Sequence, residues 1–166
     1  MRNELVMVYL GLGSNLGDRE ANLVMALDLL SQRLRIKSVS SVYQTDPLGN
    51  VEQPRFLNQV CGAETTLSPK ELLMLSKGIE RKLGRRLFKP SAPRPMDIDI
   101  LIYGDKVIDT PELVIPHPRL MERAFVLIPL AEIAPQLQHP VTGATIKELR
   151  ESLKEKQGVF KWENSK

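Results

Sequence analysis

Apolar residues recur along this chain in blocks whose spacing switches between strand-like and helix-like periods. Leu5–Leu12 is a near-continuous run of Leu, Val, Met, Val, Tyr and Leu, which predicts a buried strand. A glycine-rich stretch, Gly11-Leu12-Gly13-Ser14-Asn15-Leu16-Gly17-Asp18, reads as the turn that follows. Leu23, Leu27, Leu30 and Leu34 then repeat at helical spacing, with Asp18 placed to cap the helix. Residues 36–44 alternate apolar and polar positions as a half-exposed strand does, and Phe56–Thr66 predicts another strand. Ser68-Pro69-Lys70-Glu71 combines a capping box with proline at the first helical position. It opens a helix with the stripe Leu72, Leu75, Ile79 and Leu83, which ends at Gly84. Asp97–Tyr103 is the next strand, and the Gly104-Asp105 turn predicts a hairpin into residues 106–108. Pro111, Pro116 and Pro118 keep the following segment extended. Residues 123–134 are apolar and predict a helix that Pro129 interrupts. Thr145-Ile146-Lys147-Glu148 is a second capping box, opening an amphipathic helix through about Lys156. The remainder reads as polar and frayed.

The order strand, helix, strand, strand, helix, strand over residues 5–103 predicts an α+β fold. Its core is a ferredoxin-like β-α-β-β-α-β unit with an antiparallel sheet. Two helices cover one face of that sheet, and C-terminal helical additions are expected to cover more of it. At 166 residues the whole chain, 1–166, reads as a single domain.

Composition narrows the functions without choosing one. No apolar run reaches the roughly 20 residues needed to cross a bilayer, and Met1–Glu4 leads into the first strand without a signal-peptide pattern. The single cysteine, Cys61, lies in an apolar strand and reads as a core filler in a reducing compartment, so a cytoplasmic protein is expected; a monomer is the default. A net charge of +3 suits an anionic small ligand. Aromatics make up 5%, and no basic stretch interleaves them in the way that grips nucleic acid.

Candidate chemistry concentrates in Pro93-Arg94-Pro95-Met96-Asp97-Ile98-Asp99-Ile100. In a strand Asp97 and Asp99 share one face, while Ile98, Ile100 and Ile102 take the other. Two like charges held close repel, and a divalent cation such as Mg²⁺ removes that penalty. A solvated strand end satisfies the same pattern, so this stretch alone leaves both readings open. The glycine-rich stretch after the first strand matches neither the dinucleotide fingerprint nor the lysine-bearing phosphate loop. Two proline-bearing loops, 45–55 and 85–95, are long enough to serve as binding loops, and the second carries Arg85, Arg86, Lys89 and Arg94.

Four motifs occur together along the chain. They are Gly11–Leu16; Thr45–Gly49 with Gln53–Asn58; Pro93–Ile100; and Val114–Pro118 followed by Arg123-Ala124-Phe125. In order and spacing they resemble the 6-hydroxymethyl-7,8-dihydropterin pyrophosphokinase family, over about residues 5–140. The resemblance implies transfer of pyrophosphate from ATP to the pterin hydroxymethyl group, with release of AMP, in folate biosynthesis. It implies two Mg²⁺ ions held on the triphosphate by Asp97 and Asp99. It makes Arg94 and Arg85 phosphate-gripping cations that act in catalysis, and places Glu80, His117 and Arg123, with Arg94, at the ATP site. For the pterin it implies a slot between Phe56 and Phe125. Asn58, Thr45, Asp46 and Leu48 read the pterin's polar edge, with Asn15 nearby.

The chain departs from the family pattern in three places. Leu87 stands where a second arginine is frequent, Ser91 where a tryptophan is frequent in a loop one residue longer, and Asp46 where proline is frequent. All three fall in the two loops. The alternatives are another metal-dependent transferase with an aspartate pair, or a binding module that keeps the fold without turnover.

Overall fold

The first strand runs further than its leucines and valines suggest. In the computed structural model, which describes residues 4–45, 55–84, 95–153 and 158–162, β1 (Val6–Ser14) contains both Gly11 and Gly13. The glycine stretch is therefore strand first, and the turn is confined to residues 15–18. α1 (Arg19–Ser31) follows, its end closed by the Asp18 carboxylate, which accepts the Ala21 N–H at 3.1 Å. The alternating segment 36–44 divides into β2 (Arg35–Val39) and β3 (Tyr43–Thr45). The break falls at Ser40, whose N–H donates to the Val60 carbonyl while its hydroxyl accepts the Val60 N–H. β4 (Phe56–Thr65) and α2 (Pro69–Lys82) match expectation, the latter with both halves of its capping box formed. Gly84, at φ +104, takes the left-handed backbone that lets the chain leave α2.

After β5 (Asp97–Tyr103) the expected hairpin does not form. β6 (Ile108–Asp109) pairs instead with β7 (Val114–Ile115). Part of the edge that a hairpin would have used is taken by the His117 N–H, which donates to the Leu101 carbonyl at 3.0 Å. A 3-10 turn at Leu120–Glu122 leads to α3 (Ala124–Ile133), which runs through Pro129 without a break. The proline removes one backbone donor, but Val126, Leu127 and Leu130 are buried on either side of it, and their burial outweighs a single lost bond. α4 (Ile146–Glu151) ends earlier than expected. The polar tail also corrects expectation: Val159–Lys161 is a strand, β8, paired with β3.

The main sheet runs β5-β1-β4-β3-β8, with β2 also paired to β4, and every pairing is antiparallel. Its two faces carry different layers. On one, Val8, Leu10, Leu12, Leu57, Cys61, Ile98 and Ile100 meet Leu23, Ala26 and Leu30 of α1 and Leu72 and Ile79 of α2. On the other, Val60, Leu101 and Ile102 meet Leu120, Val126, Leu127, Leu130 and Ile146. The C-terminal helices thus cover the opposite face and do not extend the layer made by the first two. Among the described residues the result is a mixed α/β fold with an antiparallel sheet and four α-helices. Among the described residues no helix is long and apolar enough to cross a membrane.

Candidate active site

The charged end of β5 is shaped by a bulge. Leu10 opposes Ile100 but Tyr9 opposes Ile102, so Leu101 is an extra residue on β5. Before the bulge the strand alternates as expected: Asp97 and Asp99 oppose Gly13 and Gly11, and Ile98 and Ile100 enter the core on the other face. After it the phase inverts. Ile102, expected beside Ile98 and Ile100, belongs to the core behind the aspartates. The bulge also frees the Leu101 carbonyl that receives the His117 N–H. This contact docks the segment carrying His117 onto the strand that carries the aspartates.

Gly11 and Gly13 form the middle of the site. Gly13 opposes Asp97 on one side and Asn58 on the other. A side chain there would fill the space between them. A Cβ on Gly13 would lie 3.0 Å from Asn58 Oδ1 and 3.6 Å from Phe56 Cδ1, and one on Gly11 would touch Leu101. The glycines keep open a trough with carboxylates on one bank and an amide and an aromatic ring on the other. Asn58 is buried, and its Nδ2 donates to the Thr45 hydroxyl at 2.7 Å, which fixes the carboxamide on that bank.

Arg123 and His117 complete the carboxylate side. Burial lowers the Arg123 pKa, while Asp99 and Asp97 favour its charged form. Its guanidinium lies 5.3 Å from the centre of the Phe125 ring, at the start of α3. Burial and then the neighbouring Arg123 hold His117 below the ordinary histidine range, against the pull of Asp97. His117 Nδ1 accepts the Arg119 N–H at 3.2 Å, so the neutral ring carries its proton on Nε2.

The structure brings Asp97, Asp99, His117 and Arg123 into one electrostatic group. Thr45, Phe56 and Asn58 line the neighbouring bank. Phe125 lies on the helix that covers the same sheet face. Asn15 is buried just past β1. Glu80 comes from the opposite layer: it is buried on α2, and its Oε2 accepts the Ile98 N–H at 2.7 Å, between the two aspartates. Asp46, Leu48, Arg85 and Arg94 lie outside the described residues, as do the altered positions Leu87 and Ser91.

Two contributors carried no signal in the sequence. Asn22 on α1 donates from Nδ2 to the Ser14 hydroxyl, the Leu16 carbonyl and the Pro95 carbonyl, tying the end of β1 to the entry of β5. Glu132 on α3 accepts the Ser41 N–H at 3.0 Å, the Ser41 hydroxyl at 2.7 Å and the Tyr43 hydroxyl at 2.8 Å. Burial opposes ionisation of Glu132, but the Ser41 and Tyr43 bonds outweigh it and hold the carboxyl below its usual range. Burial, then Glu132, pushes the Tyr43 hydroxyl up to about 12. Both residues sit at ordinary polar positions, and only the folded chain supplies their partners.

Two Asp carboxylates are a sparse donor set for a metal. Among the described residues no group of three His, Cys, Asp or Glu side chains stands close enough to hold an ion. That set still fits Mg²⁺, which binds through one or two carboxylates and completes its shell with water and substrate phosphates.

Comparison with known proteins agrees with this geometry. The family model for 7,8-dihydro-6-hydroxymethylpterin-pyrophosphokinase (HPPK) matches residues 9–135. The chain is 44% identical to the 2-amino-4-hydroxy-6-hydroxymethyldihydropteridine pyrophosphokinase of Bacillus subtilis, covering 96% of this chain and 97% of that one. It is 43% identical to the enzyme of the same name from Aquifex aeolicus, covering 88% and 91%. The fold resembles that of wild-type Plasmodium falciparum HPPK-DHPS with pteroate, at a TM-score of 0.71 and 19% identity. That match covers 91% of this chain and 43% of the longer Plasmodium chain.

Proposed function

From the premise that this chain belongs to the 7,8-dihydro-6-hydroxymethylpterin-pyrophosphokinase family, we propose how its residues divide the work. The protein is a pyrophosphokinase of folate synthesis, moving pyrophosphate from ATP to the pterin hydroxymethyl group. In that step the hydroxyl oxygen bonds to the β-phosphorus, the bond from β-phosphorus to the α,β-bridging oxygen breaks, and AMP leaves. The hydroxyl proton passes to solvent.

The observation that carries the assignment is the pair Asp97 and Asp99 facing Gly13 and Gly11, with Asn58 on the far side of the same glycine. ATP phosphates lie on the carboxylate bank and the pterin on the amide bank, so the transferred group crosses the trough between them. Two Mg²⁺ ions held by Asp97 and Asp99 would supply charge neutralisation on the triphosphate and a more nucleophilic hydroxyl. Arg123 sets a cation against the phosphates, and neutral His117 donates from Nε2 without adding charge. Glu80 belongs to the ATP side by holding the backbone between the aspartates. Arg94 and Arg85 are the phosphate-gripping cations of the family pattern and act with them. Phe56 and Phe125 sandwich the pterin ring, and Asn58, held by Thr45, reads its polar edge along with Asp46, Leu48 and Asn15.

The strand order β5-β1-β4-β2, antiparallel throughout, supports reading the core as ferredoxin-like. The whole chain acts as one domain, a reading supported by a family match that spans both sheet faces. A cytoplasmic location fits the buried, free Cys61, and the chain acts as a monomer.

The test is product analysis. The protein is incubated with Mg²⁺, ATP and 6-hydroxymethyl-7,8-dihydropterin, and the nucleotides are separated. AMP is the expected product. ADP, or no turnover when both substrates and metal are present, overturns the assignment.

A further inference from the structure

The tail that reads as polar in sequence is built into the substrate side of the molecule. β3 is three residues long, and such a short strand is weakly held by one neighbour. It has two: β4 on one side and β8 on the other, with Thr45 opposite Val159, Gln44 opposite Phe160 and Tyr43 opposite Lys161. The Trp162 N–H adds a bond to the Val42 carbonyl at 2.8 Å. Trp162 then leaves the sheet edge. Its indole Nε1 donates to Glu20 Oε1 at 2.6 Å, and the Arg19 guanidinium lies 5.5 Å from the ring centre. The same Arg19 donates from Nη1 to the Arg55 carbonyl at 2.7 Å. Arg55 directly precedes Phe56, the first residue of β4.

The C-terminal strand therefore holds two places at once. Through β8 it holds Thr45, the partner of the Asn58 carboxamide. Through Trp162 and Arg19 it holds the backbone next to Phe56. Both places belong to one bank of the trough, and none of these contacts reaches Asp97, Asp99, His117 or Arg123.

We propose that β8 and Trp162 form a positioning clasp for the pterin bank, setting substrate affinity on that side through Thr45, Asn58 and Phe56. The clasp rests on the reading that this bank takes the pterin. Trp162 and Arg19 touch no substrate and are positioning residues only. One half of an interaction lost at a bank set by hydrogen bonds raises the substrate KM about five- to tenfold. The ATP side is held by other elements and does not move.

The experiment measures initial rates for wild type, Trp162→Ala, Arg19→Ala and the double variant. Pterin is varied at saturating ATP, and ATP at saturating pterin. The expected result is a rise of about five- to tenfold in pterin KM in each single variant, with ATP KM and kcat within about twofold of wild type. The double variant is expected to fall short of the sum of the two singles, because both changes break the shared Arg19–Trp162 contact, while each also loses one bond of its own, to Glu20 or to the Arg55 carbonyl. Unchanged pterin KM in both single variants overturns the clasp, as does an equal rise in both KM values or an additive double variant. These outcomes all presuppose that wild type forms AMP. If it does not, the assignment of function fails, and direct binding of 6-hydroxymethyl-7,8-dihydropterin to wild type and Trp162→Ala decides the clasp by itself, equal affinity overturning it.

Discussion

The two faces of one sheet do opposite work with the same strands. β5 sends Ile98 and Ile100 into the layer of α1 and α2, and Asp97 and Asp99 to the face covered by the C-terminal helices. β1 sends Leu10 and Leu12 one way and presents Gly11 and Gly13 the other. The first face is dry and filled by fully buried leucines, which tolerate little loss of volume, with the buried Glu80 of α2 as an exception. The second is left open along its glycines and carries the charged groups. Stability and chemistry are thereby separated by the two-residue alternation of a strand, so each can be broken without the other.

The largest effect should come from the charged face. Asp97→Ala and Asp99→Ala are each expected to lower kcat about a thousandfold or more while thermal unfolding shifts little, since both side chains are only half-buried. Steady-state assays paired with a melting curve check this, and near-normal turnover in either variant removes the metal-holding role.

Leu30→Ala and Leu72→Ala probe the dry face. Both leucines are fully buried, and truncation should cost about 2–5 kcal/mol of stability by denaturant unfolding. Turnover assayed well below the melting temperature should stay close to wild type. A large fall in kcat there would mean the two faces are coupled.

Gly13→Ala tests the trough itself. Its new methyl group would press on Asn58 Oδ1 at 3.0 Å, so the amide must shift. A rise of about tenfold in pterin KM is expected, comparable to losing one well-made hydrogen bond, with little change in melting temperature. Wild-type pterin KM would show that Asn58 does not read the substrate.

The smallest effect concerns pH. His139 is buried in the turn between α3 and α4, and its Nδ1 accepts the Val141 and Thr142 N–H groups at 3.2 and 3.3 Å. Burial holds its pKa below the usual 6.5. The unfolded chain therefore takes up a proton more readily than the folded one. The His139 contribution is complete above about 6.5 and is lost as pH falls through its folded value. His139→Asn, whose Oδ1 can accept the same donors, should flatten part of the melting temperature's decline between pH 7.5 and 5. An unchanged slope would place that titration elsewhere.

Much of the separation was legible in the residues. Leu23 and Leu30 mark the buried side of α1, Ser68 and Glu71 close the start of α2, and Asp97 and Asp99 alternate with Ile98 and Ile100, because these are local features of period, cap and pleat. The aspartate pair alone left a metal site and a solvated strand end both open, and phosphate chemistry was implied only by the four motifs together. Other features depended on partners far away in the chain. Pro129 is tolerated because α3 is clamped by its buried neighbours, and Glu132 matters because Ser41 and Tyr43 lie opposite it. A polar tail became β8 because β3 offered it an unpaired edge.

Which residues alternate, which cap and which carry charge can be read locally, since those properties act over a few residues. Which face of the sheet each later element covers depends on long-range packing, as does the bulge at Leu101, which moves Ile102 to the site's side while offering a carbonyl to His117. The physical reason is that a one-residue bulge inverts every side chain beyond it, and its position depends on how two strands meet rather than on either strand alone.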